Sequence, residues 1–379
     1  MGNSIQHLAE GVTVVASAKT RIEGKAIQQL QNSFQLPGMR RVVGMPDLHP
    51  GLGHPVGAAF FSVGRLYPAL IGNDIGCGMS LWRTSLDSHR LSPDKIEKRL
   101  GCIDDALGED WRERIASLGL PETGFESSLG TIGGGNHFAE LQQIDTVSCS
   151  STLSTLGIDK KHLLLLVHSG SRGLGQKILR EHLDRFQHRG FAEASDECAD
   201  YLDQHAKALG FAKANRLLIA QRIFENLRCT GAPVIDAEHN FLAPAIIAGT
   251  AGWLHRKGAA PADGGPLVIP GSRGDYSYLV EPVPDEASLF SVAHGAGRKW
   301  MRGECRDRVS TRSSAQQLLR TSLGSRVVCA NKHLLFEEAP EAYKAIESVI
   351  ESLQDAGLIR LLARMKPVLT YKTGREESR

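Results

Sequence analysis

The chain contains no CxxC pair. Its seven cysteines, at positions 77, 102, 149, 198, 229, 305 and 329, are odd in number and carry no metal-ribbon spacing. This argues against a disulfide framework and a zinc ribbon, and it fits a reducing cytoplasm. No apolar run reaches the roughly 18 residues that a membrane-spanning helix needs. Residues 1–15 lack the basic-then-apolar pattern of a secretory signal. Net charge is only +2, so no strong field announces a nucleic acid or membrane partner, although basic groups gathered locally still allow a nucleic acid.

Glycine, by contrast, is plentiful: 40 residues, in short clusters beside polar side chains. The densest is Gly72-Asn73-Asp74-Ile75-Gly76-Cys77-Gly78-Met79, led by an apolar run, Tyr67 to Ile71, that reads as a buried strand. Asp74 and Cys77, three residues apart on one turn, can aim at one point. A carboxylate with a thiolate suits a borderline ion such as Mn²⁺ or Zn²⁺ better than Mg²⁺ or Ca²⁺. A glycine turn holding a buried cysteine is the plainer reading of that stretch alone.

The same pattern recurs. Val42-Val43 reads as a strand before a turn framed by Pro46 and Pro50, which presents Asp47 and His49. In Gly133-Gly134-Gly135-Asn136-His137 the glycines let backbone approach a ligand and offer N–H groups to anionic oxygens. Glu140, three residues on, can read a donor-rich edge such as the N1/N2 face of guanine. Lys161 to Val167 reads as a buried strand running into His168, and Pro233 to Ala237 as one that leads to His239-Asn240. His255 to Ala259 reads as a compact basic turn. His294 lies among small residues, with Arg298 on the same face if a helix starts there. Helices are expected over 20–35, from Ser92-Pro93 to Gly101, over 176–190, over 197–230 with a break near Gly210, and from Pro340 to Ala356; the last few residues read as frayed.

A lone histidine is usually structural. Here His137, His168, His239 and His294 all sit in such turns, beside Asp74 and Cys77, and together they point to a metal cluster. Strands and helices do not alternate regularly. The expected fold is therefore α+β, with mixed β-sheets and flanking helices around a central metal cleft. The spread from Asp47 to Lys372 argues for a single catalytic unit over residues 1–379.

In order along the chain, several stretches resemble the RtcB family of GTP- and Mn²⁺-dependent RNA ligases. They are Met45-Pro46-Asp47-Leu48-His49-Pro50-Gly51, Gly72 to Met79, Gly133 to Phe138, His168 to Gly173, His239-Asn240, His255 to Ala259, Ile269 to Ser272, His294 to Arg298 and Ala339 to Lys344. The resemblance implies that Asp74, Cys77, His137, His168 and His239 hold two Mn²⁺ ions, making the cleft dinuclear, with the Cys77 thiolate shared. It implies that His294 is the nucleophile taking GMP from GTP, and that Asp47 orients or deprotonates a reacting group. Asn136, Phe138, Glu140, Ser272, Tyr343 and Lys372 would hold the guanine nucleotide, with Ala296 beside it through its backbone. The implied reaction joins an RNA 2′,3′-cyclic phosphate or 3′-phosphate end to a 5′-hydroxyl end, in some cases with an archease-type activating protein. Arg172, Arg256, Lys257, Arg298 and Lys299 are candidate phosphate contacts. His54, Arg273 and Asp275 depart from the family pattern, and the chain is shorter than many members. Two other readings stay open: a dinuclear phosphoesterase, and an RNA-binding scaffold with a relic site. His294 separates the first, since a hydrolase needs no nucleophilic histidine outside its ligand set.

Overall fold

The computed structural model describes residues 4–90 and 92–374; the frayed-tail reading falls on residues outside these. Two large sheets dominate. One runs in the order Ile5–Ala9, Val12–Val15, Met39–His49, Val56–Ser62, Thr250–Lys257 and Asn240–Ile247. The other runs Gly231–Glu238, Gly78–Asp87, His162–Ser169, Phe138–Val147, Ile359–Thr373, Ser277–Pro282 and Leu267–Pro270, with Arg326–Cys329 parallel to Ile359–Thr373. Parallel and antiparallel pairs coexist in both, so the sheets are mixed and the α+β expectation holds.

Burial explains this layering. Val43, Phe61 and Leu254 of the first sheet share a core with Ile269, Tyr278 and Val280 of the second, closed by Ile346, Val349 and Leu353 of the helix Ile346–Asp355. On its other face the second sheet packs Leu165 and Val167 against Ile219, Ile223 and Leu227 of the helix Asp196–Leu227. A strand covered on both faces must be apolar throughout, which is why Leu163 to Val167 shows no alternation.

Several local expectations are corrected. The helix Asp196–Leu227 does not break at Gly210; glycine there costs about 1 kcal/mol, little against the apolar face that the helix buries. Tyr67 to Ile71 is buried but contains a 3₁₀ turn, Pro68–Leu70, because Pro68 at its start cannot donate to a ladder. Pro46 and Asp47 lie within the strand Met39–His49, whose register shifts between Gly44 and His49. His255 to Lys257 end a buried strand: the His255 ring donates from Nδ1 to the Phe60 carbonyl and accepts the Tyr67 N–H at Nε2. No helix starts at His294; the next begins at Arg302. The last helix begins at Ile346, after a 3₁₀ turn at Pro340–Ala342.

Candidate active site

Sheet topology brings the ligand-type residues together. Gly231–Glu238, Gly78–Asp87, His162–Ser169 and Phe138–Val147 are antiparallel neighbours. In such a ladder one strand ends where its neighbour begins. Cys77 and His137 immediately precede their strands, His168 is the penultimate residue of its own, and His239 directly follows its own. All four therefore reach one sheet edge, with Glu238 opposite Gly78 and His168 opposite both Met79 and Phe138. His239 also marks where the chain leaves one sheet for the other, and its N–H donates to the Cys77 carbonyl at 2.8 Å.

The donor atoms converge. Cys77 Sγ lies 3.4 Å from His137 Nε2 and 3.2 Å from His168 Nε2. His137 Nε2 is 2.7 Å from Asp74 Oδ2, and His168 Nε2 is 3.3 Å from His239 Nε2. Two triads result, Asp74–Cys77–His137 and Cys77–His168–His239, sharing the thiol. Donor–donor edges around a four-coordinate ion with bonds of about 2.0–2.3 Å are roughly 3.3–3.8 Å. The contacts among Cys77, His137, His168 and His239, at 3.2–3.4 Å, lie close to that. The 2.7 Å Asp74–His137 contact is a direct hydrogen bond that an ion between them would open. The orphaned Asp74 Oδ1, buried with no partner, fits an ion as well. Burial and neighbouring imidazoles hold His168 and His239 well below the usual histidine range, leaving neutral rings with lone pairs. Two ions could thus be held, bridged by Cys77.

His294 stands beside this cluster, its ring centroid 4.6 Å from that of His239. Its Nδ1 donates to Asp47 Oδ2 at 2.7 Å, and Asp47 is fully buried. A carboxylate can only accept, so in the neutral ring Nδ1 carries the proton and Nε2 the lone pair. Glycine makes the packing possible. A Cβ at Gly297, where φ is +71°, would meet the Asp47 carbonyl oxygen at 2.2 Å; one at Gly258 would meet His294 Cε1 at 2.9 Å. Gly297→Ala is expected to cost about 1–3 kcal/mol and to misalign the pair, which thermal unfolding and a His294 activity assay together will show.

Every candidate residue named above for metal, nucleotide or nucleophile, except Asp47 and His137, lines one cavity of about 990 Å³. Those two sit behind it, bonded to His294 and Asp74. In the same lining Glu140 accepts from Thr370 Oγ1 and from Gln142 Nε2, and burial raises its carboxyl to about 8. Lys372 donates to the Gly135 carbonyl at 2.8 Å, and burial lowers its ammonium to about 8. Tyr343 donates to Glu338, which also meets Arg298 at 3.0 Å, Arg302 at 2.7 Å and Lys372 at 3.8 Å. Burial pushes the Glu338 carboxyl up, but these cations outweigh it and hold the group at about 2.

Glu338 is the anchor that sequence reasoning missed. Glu337-Glu338 at a helix end looks like a solvated acidic face; only its place directly before Ala339 hinted otherwise. Arg256 and Lys257, read as candidate phosphate contacts, are instead buried and engaged: Arg256 with Ser291 Oγ and the Phe290 carbonyl, Lys257 with the His54 carbonyl. Arg298 is held by Glu338 and the Glu337 carbonyl, while Arg172 Nη1 lies 3.2 Å from His137 Nδ1. Lys299 stays exposed on the cavity rim, over the Trp300 ring. His54 packs against Ser33 Oγ at 2.9 Å, and Asp275 accepts the Tyr276 N–H at 2.9 Å within its own turn. Arg273 is buried with only Nη2 bonded, to the Leu335 carbonyl.

Two metal-type triads sharing a thiol stand beside a carboxylate-backed histidine, in a cavity that also holds a buried carboxyl and a buried ammonium. The comparisons say which family carries this arrangement. The family described as tRNA-splicing ligase RtcB matches residues 29–107 and 116–373. An RNA-splicing ligase RtcB2 from Escherichia coli is 55% identical over 372 residues, covering 98% of each chain. A tRNA-splicing ligase RtcB from Nanoarchaeum equitans is 30% identical, covering 92% of each chain. An RNA-splicing ligase RtcB from Mycobacterium bovis is 28% identical, covering 90% of this chain and 99% of its own. This chain belongs to the RtcB family of RNA ligases.

Proposed function

We propose that this chain joins RNA ends bearing a 3′-phosphate or 2′,3′-cyclic phosphate to 5′-hydroxyl ends, using GTP and Mn²⁺ in one catalytic unit spanning the chain. The observation that carries the reading is the Asp47–His294 pair beside the ligand cluster. Asp47, accepting from Nδ1, fixes the tautomer and steadies the positive charge that grows on the ring. His294 Nε2 attacks the α-phosphorus of GTP; a P–N bond forms, the α–β P–O bond breaks and pyrophosphate leaves. A 2′,3′-cyclic end is first opened by water to a 3′-phosphate. An oxygen of that phosphate then attacks the guanylyl phosphorus, and the P–N bond breaks with its electron pair returning to His294 Nε2. Attack by the 5′-hydroxyl releases GMP and forms the phosphodiester. Two Mn²⁺ ions, held by Asp74, Cys77, His137, His168 and His239, would neutralise charge on the transferred phosphates.

Base recognition falls to Glu140 and Lys372. An ionised Glu140 offers two acceptors to the guanine N1–H and N2–H donors, and Lys372 suits the O6 acceptor. Glu338 holds Tyr343 and Lys372 in place. Asn136, Phe138, Ser272 and the Ala296 backbone complete the nucleotide pocket. Among the described residues no helix is long and apolar enough to cross a membrane; a cytoplasmic site of action and an archease-type activating partner belong to the same proposal. A dinuclear phosphoesterase explains the cluster, but not a carboxylate-backed histidine outside it.

The test is incubation with α-labelled GTP and Mn²⁺. Label that survives denaturation and is released by acid, as a P–N bond requires, is the expected result. Unlabelled protein that still hydrolyses phosphoesters, with an activating partner supplied, would favour the phosphoesterase.

A further inference from the structure

Beneath the ligand cluster, on the helix Asp196–Leu227, sit two adjacent polar residues that the reaction does not use. Arg216 is fully buried. Its Nη1 donates to the carbonyls of Gly76, at 2.7 Å, and Ser169, at 3.1 Å. Its Nε and Nη2 clasp Asp236 at 2.6 and 3.0 Å, and Nη2 lies 3.5 Å from Glu238. Asn215, also fully buried, accepts the Gly130 N–H at 2.8 Å. It donates to Ser169 Oγ at 3.0 Å, and more weakly to the Thr131 and Gly170 carbonyls at 3.3 and 3.4 Å.

Each partner lies on a segment that carries a ligand. Gly76 precedes Cys77 and Ser169 follows His168; Asp236 and Glu238 lead into His239, and Gly130 and Thr131 lead into the loop that ends at His137. Two neighbouring side chains thus hold all four ligand-bearing segments. A guanidinium is suited to this, since its planar fork bonds two carbonyls and a carboxylate at fixed angles.

We propose that Asn215 and Arg216 are positioning residues for the metal centre, fixing the spacing of the four ligand segments so that both triads form around Cys77. This rests on the reading that those triads hold metal. The alternative is that the pair serves stability alone. The two differ in what binding an ion does: a positioning pair changes metal affinity beyond its effect on the fold, because groups behind the ligands typically alter affinity about 10–100-fold.

Co²⁺ titration of the full-length protein is the test, since a cobalt–thiolate band reports Cys77 directly. Arg216→Met combined with Asp236→Leu removes the clasped pair, while Glu238, the guanidinium's more distant partner, keeps Lys213 at 3.6 Å; Asn215→Ala removes only neutral hydrogen bonds. Both variants should bind Co²⁺ about 10–100-fold more weakly than wild type, with a smaller thiolate band and a smaller rise in melting temperature on adding Co²⁺. Arg216→Lys, able to reach one carbonyl, should recover part of the band. Wild-type affinity and band in the folded variants would overturn the proposal. So would a drop in melting temperature that is the same with and without Co²⁺, which holds even for a variant that is hard to keep folded. Failure of wild type to bind Co²⁺ would instead strike the metal reading itself.

Discussion

His294→Ala should give no labelled protein from α-labelled GTP, and Asp47→Asn should slow labelling by about 10²–10⁴-fold without abolishing it. The alanine variant has no nitrogen to form the P–N bond. The asparagine variant keeps the shape of the site but loses the charge. Its amide can also present N–H₂ to His294 Nδ1. The ring then turns to the other tautomer, placing the proton on Nε2, where the attacking lone pair has to be. The Asp47 side chain is fully buried and its Oδ1 has no other partner, so no solvent stands ready to replace what is lost. Single-turnover labelling measures both. An Asp47→Asn protein labelled at the wild-type rate would mean that the 2.7 Å contact to Nδ1 does not set the tautomer.

Glu140→Gln should weaken GTP about 10–100-fold and narrow its advantage over ITP, which lacks the guanine N2 amino group. Glutamine offers one acceptor and one donor where the base presents two donors. The pH dependence follows from burial, which raises the Glu140 carboxyl to about 8. Below that pH the free protein holds the proton, and guanine, needing two acceptors, binds the ionised form. GTP affinity should therefore rise by up to about tenfold per pH unit from pH 6 towards 8. Above 8 it should fall, because Lys372, lowered to about 8 by burial, loses the proton it offers to O6. Stability carries the opposite sign. The folded state binds a proton on Glu140 that the unfolded chain releases near 4.5, so this group makes the fold less stable as pH rises from about 4.5 to 8. Glu140→Gln removes that loss. Its melting temperature should gain on wild type across this window while its GTP binding weakens. Calorimetric titration of GTP and ITP at several pH values, with melting curves alongside, checks all of this. PH-independent GTP binding would remove Glu140 from the guanine edge.

What the sequence made legible followed from chemistry that short stretches can carry. Asp74, Cys77, His137, His168 and His239 each sit beside glycine, small polar residues or the end of an apolar run, and the structure gathers all five at one edge. The α+β class followed from irregular alternation. Illegible were the features set by distant partners. Glu338 looks like surface until Arg298, Arg302 and Lys372 surround it. Arg256 and Lys257 look like surface charges until a neighbouring strand covers them. Asp47 sits in a strand whose register shifts, and no local signal announces its bond to a histidine 247 positions away. Asn215-Arg216 lies inside a helical pattern, where polar residues read as the solvent side.

Strand polarity divides this molecule into two edges with different tolerances. At one, the atoms of four segments must meet to within tenths of an ångström, and slipping a strand by one residue turns His168 to the opposite face. At the other edge two of these strands, Phe138–Val147 and His162–Ser169, are joined by Ser148 to Lys161, which holds the short helix Ser150–Thr155 and turns at Gly157 with a φ of +65°. Length there touches no reacting group. A segment inserted at exposed positions of this connection, clear of the buried Leu153 and Ile158, is expected to leave the chemistry in register, so the enzyme can vary in size around a fixed centre.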